Sequence, residues 1–205
     1  MKMQVYKALA DCYFQPDEQL YDAVQRLKQG IDSWIPENIH LALGMDQELK
    51  IQNNDLLELI REYSRLFVGP FDLLAPPYGS LYFQHKHPVP QIMDSSTFDV
   101  QEAYSRAGLN VAQDFNSPPD HISAELEFMY FLLFQEFRAL ENNDPEEALN
   151  FKNQRKTFLQ RHLGIWGPVF AGKVAENTKS VFYLNLARLT KEVLMKDKKE
   201  LELIR

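Results

Sequence analysis

Ser117-Pro118-Pro119-Asp120-His121-Ile122-Ser123-Ala124-Glu125-Leu126-Glu127-Phe128-Met129-Tyr130-Phe131-Leu132-Leu133-Phe134 joins a stiff polar turn to the most apolar helix of the chain. Two successive prolines fix φ and disfavour helix before them. Asp120 is placed to cap the free N–H groups of the turn that follows, so a helix is expected from about Asp120. Ile122, Leu126, Met129, Leu133, Phe137 and Leu140 recur at steps of three and four. Phe128, Phe131, Leu132 and Phe134 add apolar surface outside that stripe, which predicts a helix buried on most sides.

Helical spacing recurs on either side of this segment. Met3, Tyr6, Ala10, Tyr13 and Phe14 mark an opening helix that stops before Pro16. Leu20, Val24 and Leu27 mark a second helix closing at Gly30, with Pro16-Asp17-Glu18 at its start. Trp34 to Met45 reads as a short irregular connection. Asp55-Leu56-Leu57-Glu58 has capping-box spacing and opens a helix that carries Leu59, Ile60, Tyr63 and Phe67 to Gly69-Pro70. Ser96 and Asp99 start another, which ends at Gly108. Asp144-Pro145-Glu146-Glu147 combines a cap, a proline in the first turn and two acids at the positive end of the dipole. Its helix is expected to reach Leu163, with Gly164 and Gly167-Pro168 interrupting the chain around Trp166. A final helix spans Thr178 to Leu194, and the charged end from Asp197 is expected to fray. No stretch sustains period-two alternation. The expectation is an all-α, single-domain helical bundle over residues 1–205.

Gly69 to about Asp94 is the exception, a long proline-rich loop with no helical period. Phe71, Leu73, Leu74, Tyr78, Leu81, Tyr82 and Phe83 make it apolar, so it is expected to fold over the core and leave some of these groups lining a groove.

Composition narrows the function classes. A net charge of −7 from 22 basic and 29 acidic residues argues against a nucleic-acid partner. Cys12 is the single cysteine, which excludes an internal disulfide and a cysteine-clustered metal site and permits a reducing compartment. No apolar run approaches the ~20 residues that span a bilayer, no signal peptide opens the chain, and no two arginines are adjacent. A cytoplasmic location is the simplest reading.

Catalytic readings are poorly supported by spacing. A dimetal bundle needs paired Glu-x-x-His motifs, and only Glu37-Asn38-Ile39-His40 is present. His85 and His87 lack acidic or thiol neighbours in sequence. Asp120, His121 and Glu125 supply an acid, a base and an orienting carboxylate for a hydrolase, with Ser80 or Ser123 as nucleophile. The Gly-x-Ser-x-Gly elbow is absent, and His121 with Glu125 one turn on serves equally as a helix-start pair. A bundle metalloenzyme or hydrolase therefore stands as the alternative to a binding module. No phosphate-binding glycine motif appears.

Pro76-Pro77-Tyr78-Gly79-Ser80-Leu81-Tyr82, followed by Pro119-Asp120-His121 and Glu125-Leu126-Glu127-Phe128-Met129, resembles the TorD/DmsD/NarJ family. Tyr63 to Pro70, Ser96-Thr97 with Tyr104 and Gly108, Phe158 to Phe170 and Phe182-Tyr183 extend the resemblance over most of the chain. With the second Glu-x-x-His and the nucleophile elbow both missing, a protein that is not an enzyme and holds no metal or cofactor is expected, and the resemblance is to cytoplasmic chaperones that mature molybdenum-containing oxidoreductases. It implies a client molybdoenzyme with a twin-arginine signal peptide, assistance to cofactor insertion, and export held back until folding is complete. It also implies a peptide surface at Pro76, Pro77, Tyr78, Ser80, Tyr82, Asp120, His121 and Glu125, with tyrosine at 78 where many members have tryptophan. Apolar Tyr78, Leu81 and Tyr82 would contact an amphipathic peptide while Asp120 and Glu125 attract its arginines. Two further implications are guanine-nucleotide binding, which nothing in the sequence locates, and dimers that exchange halves, for which 117–119 is the expected hinge.

Overall fold

The computed structural model describes residues 1–51, 55–69, 73–83, 95–109 and 118–203. His85 and His87, much of the proline-rich loop and Ser117 of the expected hinge lie outside the described residues. Among the described residues there are nine α-helices and no strand. They are α1 (Lys2–Cys12), α2 (Leu20–Trp34), α3 (Ile39–Ile51), α4 (Leu57–Tyr63), α5 (Ser95–Arg106), α6 (Ile122–Glu141), α7 (Pro145–Arg161), α8 (Leu163–Asn177) and α9 (Val181–Leu203). The all-α bundle expected from the sequence is what forms. α1 lies between α2 and α6, α6 packs on α7, and α9 lies against α8 and α3. The buried side chains of these helices form one continuous core.

Several elements depart from the sequence reading, each for a packing reason. Trp34 to Met45 is not an irregular connection: a 3-10 turn at Pro36–Asn38 leads into α3, whose Leu41, Ala42, Met45 and Leu49 are buried. Gly30 does not close α2, which continues to Trp34. A Cβ at Gly30 would lie 2.6 Å from Val5 Cγ2, so the glycine marks the close approach of α1 and α2. Phe14, expected inward, is 41 % exposed beyond the end of α1. The Gly164 to Pro168 segment is no interruption but the opening of α8. Pro168 removes one N–H from that helix, while Leu163, Trp166, Gly167, Phe170, Ala171 and Val174 bury a continuous face that keeps it helical.

The end of the chain does not fray at Asp197. α9 continues to Leu203, and the Asp197 carboxylate is fully buried. It accepts hydrogen bonds from Tyr6 Oη at 2.8 Å, Lys2 Nζ at 2.7 Å and Arg155 at 2.5 Å, which ties α9 to α1 and α7. Sequence periodicity saw only charge there, because the partners lie 42 to 195 residues away.

α6 follows its predicted stripe only at its N-terminal end. Ile122 to Leu126 are all buried, but the buried face then runs through Met129, Leu132 and Ala139, leaving Phe137 and Leu140 more than half exposed. α1 and α7 pack along the helix, Tyr104 of α5 and α8 add to its cover, and Phe137 and Leu140 near its end stay exposed.

Candidate functional site

The proline-rich loop meets the start of α6 through a short antiparallel bridge between Tyr78 and His121. The Gly79 N–H donates to the Asp120 carbonyl at 2.9 Å, and the Ile122 N–H donates to the Pro77 carbonyl at 2.9 Å. The two motifs, forty residues apart in sequence, are thus joined by main-chain hydrogen bonds. A single 3-10 turn, Gly79–Leu81, follows on the loop side.

Asp120 does not cap its own helix. The N-cap is His121, whose Nδ1 accepts from the Ser123 N–H at 3.2 Å and lies 2.7 Å from the Ser123 hydroxyl. Asp120 instead reaches across to the loop, where Oδ2 accepts from the Ser80 N–H at 2.7 Å. The helix starts later than expected, with His121 as its N-cap, so the Asp120 carboxylate meets the loop and not the first turn of α6. Asp120 is 1 % exposed, and its Oδ1 has no partner among the described residues. The same is true of the buried Ser80 hydroxyl. A buried polar atom left without a hydrogen bond costs roughly 1–3 kcal/mol, so this pair is conspicuous.

Glu125 lies deeper. It is wholly buried, and the Trp166 indole Nε1–H is 3.1 Å from each of its oxygens. Burial holds its carboxyl well above the usual range, the Trp166 hydrogen bond opposes this, and the charge of Asp120 adds to it. With both oxygens turned to the Trp166 indole, Glu125 braces the junction from inside, so its expected outward role is not what the geometry supports. His121 is pushed down to about 4 by burial and stays neutral at physiological pH.

The half-exposed members form the visible face. Tyr78 meets His121 edge-on at 5.4 Å, and Tyr82 stacks on Trp166 at 5.5 Å while its hydroxyl donates to the Pro76 carbonyl at 2.9 Å. Lys173 of α8 sits 4.9 Å from the centre of the Tyr82 ring. Tyr104 of α5 supports the turn from below by donating to the Pro119 carbonyl at 2.8 Å.

All eight residues singled out from the sequence therefore gather at one junction, with Pro77, Ser80, Asp120, His121 and Glu125 inside it and Pro76, Tyr78 and Tyr82 at its face. Trp166 and Lys173 belong to it and were missed. The available signal was Gly79: a Cβ there would lie 2.9 Å from Trp166 Nε1 and 3.3 Å from Glu125 Oε1, so only glycine lets the loop approach the indole. Three or more metal-ligating side chains converge nowhere among the described residues. His121 does lie 2.7 Å from the Ser123 hydroxyl, but Ser123 is fully buried and Glu125 is turned to the Trp166 indole, so the three do not form a nucleophile, base and orienting acid in series.

The chain is thus an all-helical bundle with a proline-rich loop sewn to a helix start and a half-exposed aromatic face over buried polar atoms that have no partner among the described residues. The family described as nitrate reductase delta subunit matches residues 17–172, and the chain belongs to it. It is 27% identical over 165 residues to the chaperone protein TorD of Vibrio parahaemolyticus serotype O3:K6 (strain RIMD 2210633), covering 80% of this chain and 70% of that one. It is 25% identical over 129 residues to the perchlorate reductase assembly chaperone protein of Dechloromonas aromatica (strain RCB), covering 62% and 56% of the two chains. A crystal structure of a protein from Archaeoglobus fulgidus assigned to redox enzyme maturation superposes with a TM-score of 0.59 at 27% identity, over 94% of this chain and 93% of that one.

Proposed function

We propose that this protein is a dedicated assembly chaperone for one molybdenum-containing oxidoreductase, binding its polypeptide before the cofactor is in place. Membership of a family whose similar relatives are reductase assembly chaperones supports the class. The observation that carries the site is the pair of buried, unpartnered atoms, Asp120 Oδ1 and Ser80 Oγ, beneath Tyr78 and Tyr82. An amphipathic segment laid on the two tyrosines with a guanidinium or backbone donor reaching Asp120 would satisfy them.

The segment that suits this chemistry is a twin-arginine signal peptide, basic at one end and apolar beyond. Holding it in the cytoplasm would delay export until the client is folded. Purification of the tagged chain from its native host, followed by identification of the co-purifying protein, tests the class. A molybdenum oxidoreductase subunit is expected, and its consistent absence from both the wild type and a cross-linked sample would sink the reading.

A second element of the proposal concerns assembly state. Exchange of α6 to α9 after Pro119 would rebuild the Tyr78–His121 bridge from two chains, with α1 and α6 meeting across the dimer. Concentrated protein analysed by size-exclusion chromatography is expected to give a slowly interconverting dimer. Dimers in which cross-links join α1 to α6 only within a chain would refute the exchange.

A further inference from the structure

We propose that the cleft between α5 and α7 is a second polypeptide-binding site, one that grips the main chain of an extended client segment. The cleft has a volume of about 380 Å³. Asp99 and Glu102 of α5 form one wall, and Gln154, Thr157 and Arg161 of α7 form part of the other. The residues of the Tyr78–Asp120 junction are not among its lining. Beyond Asn150 and Asn153 it opens into a hollow of about 470 Å³ beside Asp144.

The walls differ in hydrogen-bonding character. The α5 side offers the Asp99 and Glu102 carboxylates beside the Arg106 guanidinium, and the α7 side offers a guanidinium together with carboxamides and a hydroxyl that both donate and accept, Gln154 already donating to Asn150 at 3.2 Å. Among the described residues Arg161 and Asp99 enter no ion pair, whereas Glu102 holds Arg106 at 2.5 Å in an exposed pair that contributes little. His162 closes one end. It is 9 % exposed, and its Nδ1 has no hydrogen-bond partner among the described residues. Burial pushes its ring below the ordinary value, against the pull of Asp99 and with the push of Arg161, so it is a neutral group able to give or take one hydrogen bond.

A peptide group carries one donor and one acceptor, and a chain running between these walls can turn carbonyls toward Arg161 and Gln154 and N–H groups toward Asp99. Length favours a chain over a compact ligand. The 17 residues of α7 span about 25 Å, the reach of about seven extended residues. This site rests on the reading that the ligand is a client polypeptide, but not on the Tyr78 surface.

The test is a titration of isotope-labelled protein with the blocked peptide acetyl-Gly-Ser-Gly-Ser-Gly-Ser-Gly-amide, which offers main chain and almost nothing else. The side-chain amide signals of Asn153 and Gln154 are expected to move while the Trp166 indole stays still. An ester in place of the central peptide bond removes one N–H and should weaken binding about threefold to tenfold. Arg161→Gln, at an exposed position, should do the same without altering the melting temperature, and Tyr78→Ala should leave the titration unchanged. The proposal is overturned if no signal moves up to the solubility limit, if ester and amide bind alike, if Trp166 responds instead, or if a mononucleotide shifts these amides and the peptide does not. Failure of the client reading would show separately, as co-purification without a reductase.

Discussion

Two buried carboxylates, Asp197 and Asp120, divide the molecule's labour. Asp197, carried on α9, is surrounded by three donors from two other helices, Lys2 and Tyr6 of α1 and Arg155 of α7. Among the described residues the Asp120 carboxylate has one hydrogen bond, from the Ser80 N–H, and one oxygen with none. Burial of charge is tolerated where it is fully paired, and an acid held inside with an empty acceptor position is a cost that the fold alone does not explain. The first arrangement belongs to architecture. The second is where a ligand has something to satisfy.

The largest effect should come from the paired acid. Asp197→Ala removes an acceptor from three donors, of which Lys2 keeps Glu200, and leaves the Arg155 guanidinium buried with only Glu136 among the described residues, which should cost ~3–5 kcal/mol in urea unfolding. Replacing both partners, with Arg155→Leu and Asp197→Leu together, should recover much of that loss. A single-variant cost below ~1 kcal/mol would break the contrast, because Asp197 would then be no more structural than a surface acid.

The pH dependence sharpens it. Glu125 has its folded value raised above 4.5, so its contribution is fully present below about pH 4.5 and is lost as pH rises through the folded value. Glu62 behaves oppositely. Burial raises its value, but hydrogen bonds from Arg65, the Lys179 N–H and Thr178 outweigh this and bring it to about 2. Its contribution is therefore present above about pH 4.5 and lost as pH falls toward about 2. Glu125→Gln keeps an acceptor for the Trp166 indole without the cost of ionisation. Melting at about pH 3, 5 and 8 should show a flattened decline on the alkaline side and an unchanged acid limb. Alkaline destabilisation that persists in the variant would mean that Glu125 is not the group responsible.

How much of this was legible in the sequence follows the range of the interactions. Caps and periods are local, so Asp144, whose Oδ1 accepts the Glu147 N–H at 3.0 Å, and Gly108, at φ 81°, were read correctly. The motif residues of the junction were named because the resemblance gathered them. Their depth was not legible. Nothing local distinguishes Glu125, buried against an indole 41 residues away, from an outward acid at a helix start. Trp166 was hidden for the same reason, and by a glycine and proline pattern that reads as a break but packs as a helix.

The smallest stability change should come from Asp120→Asn, and it decides what the empty acceptor is for. The amide keeps an oxygen for the Ser80 N–H and removes only the charge, and since Asp120 does not cap α6 no helix start is lost. Melting should therefore shift by no more than the equivalent of about 1 kcal/mol. Affinity for a synthetic twin-arginine peptide should fall by about tenfold, because a charge-assisted hydrogen bond of roughly 1.5–3 kcal/mol becomes a neutral one, and the salt dependence of binding should shrink with it. Tyr78→Ala supplies the apolar control: it should weaken the same peptide while leaving the salt dependence intact. Calorimetry on the two variants separates the contributions. If neither changes affinity, the junction is only a lock between loop and helix, and Asp120 joins Asp197 on the architectural side of the comparison.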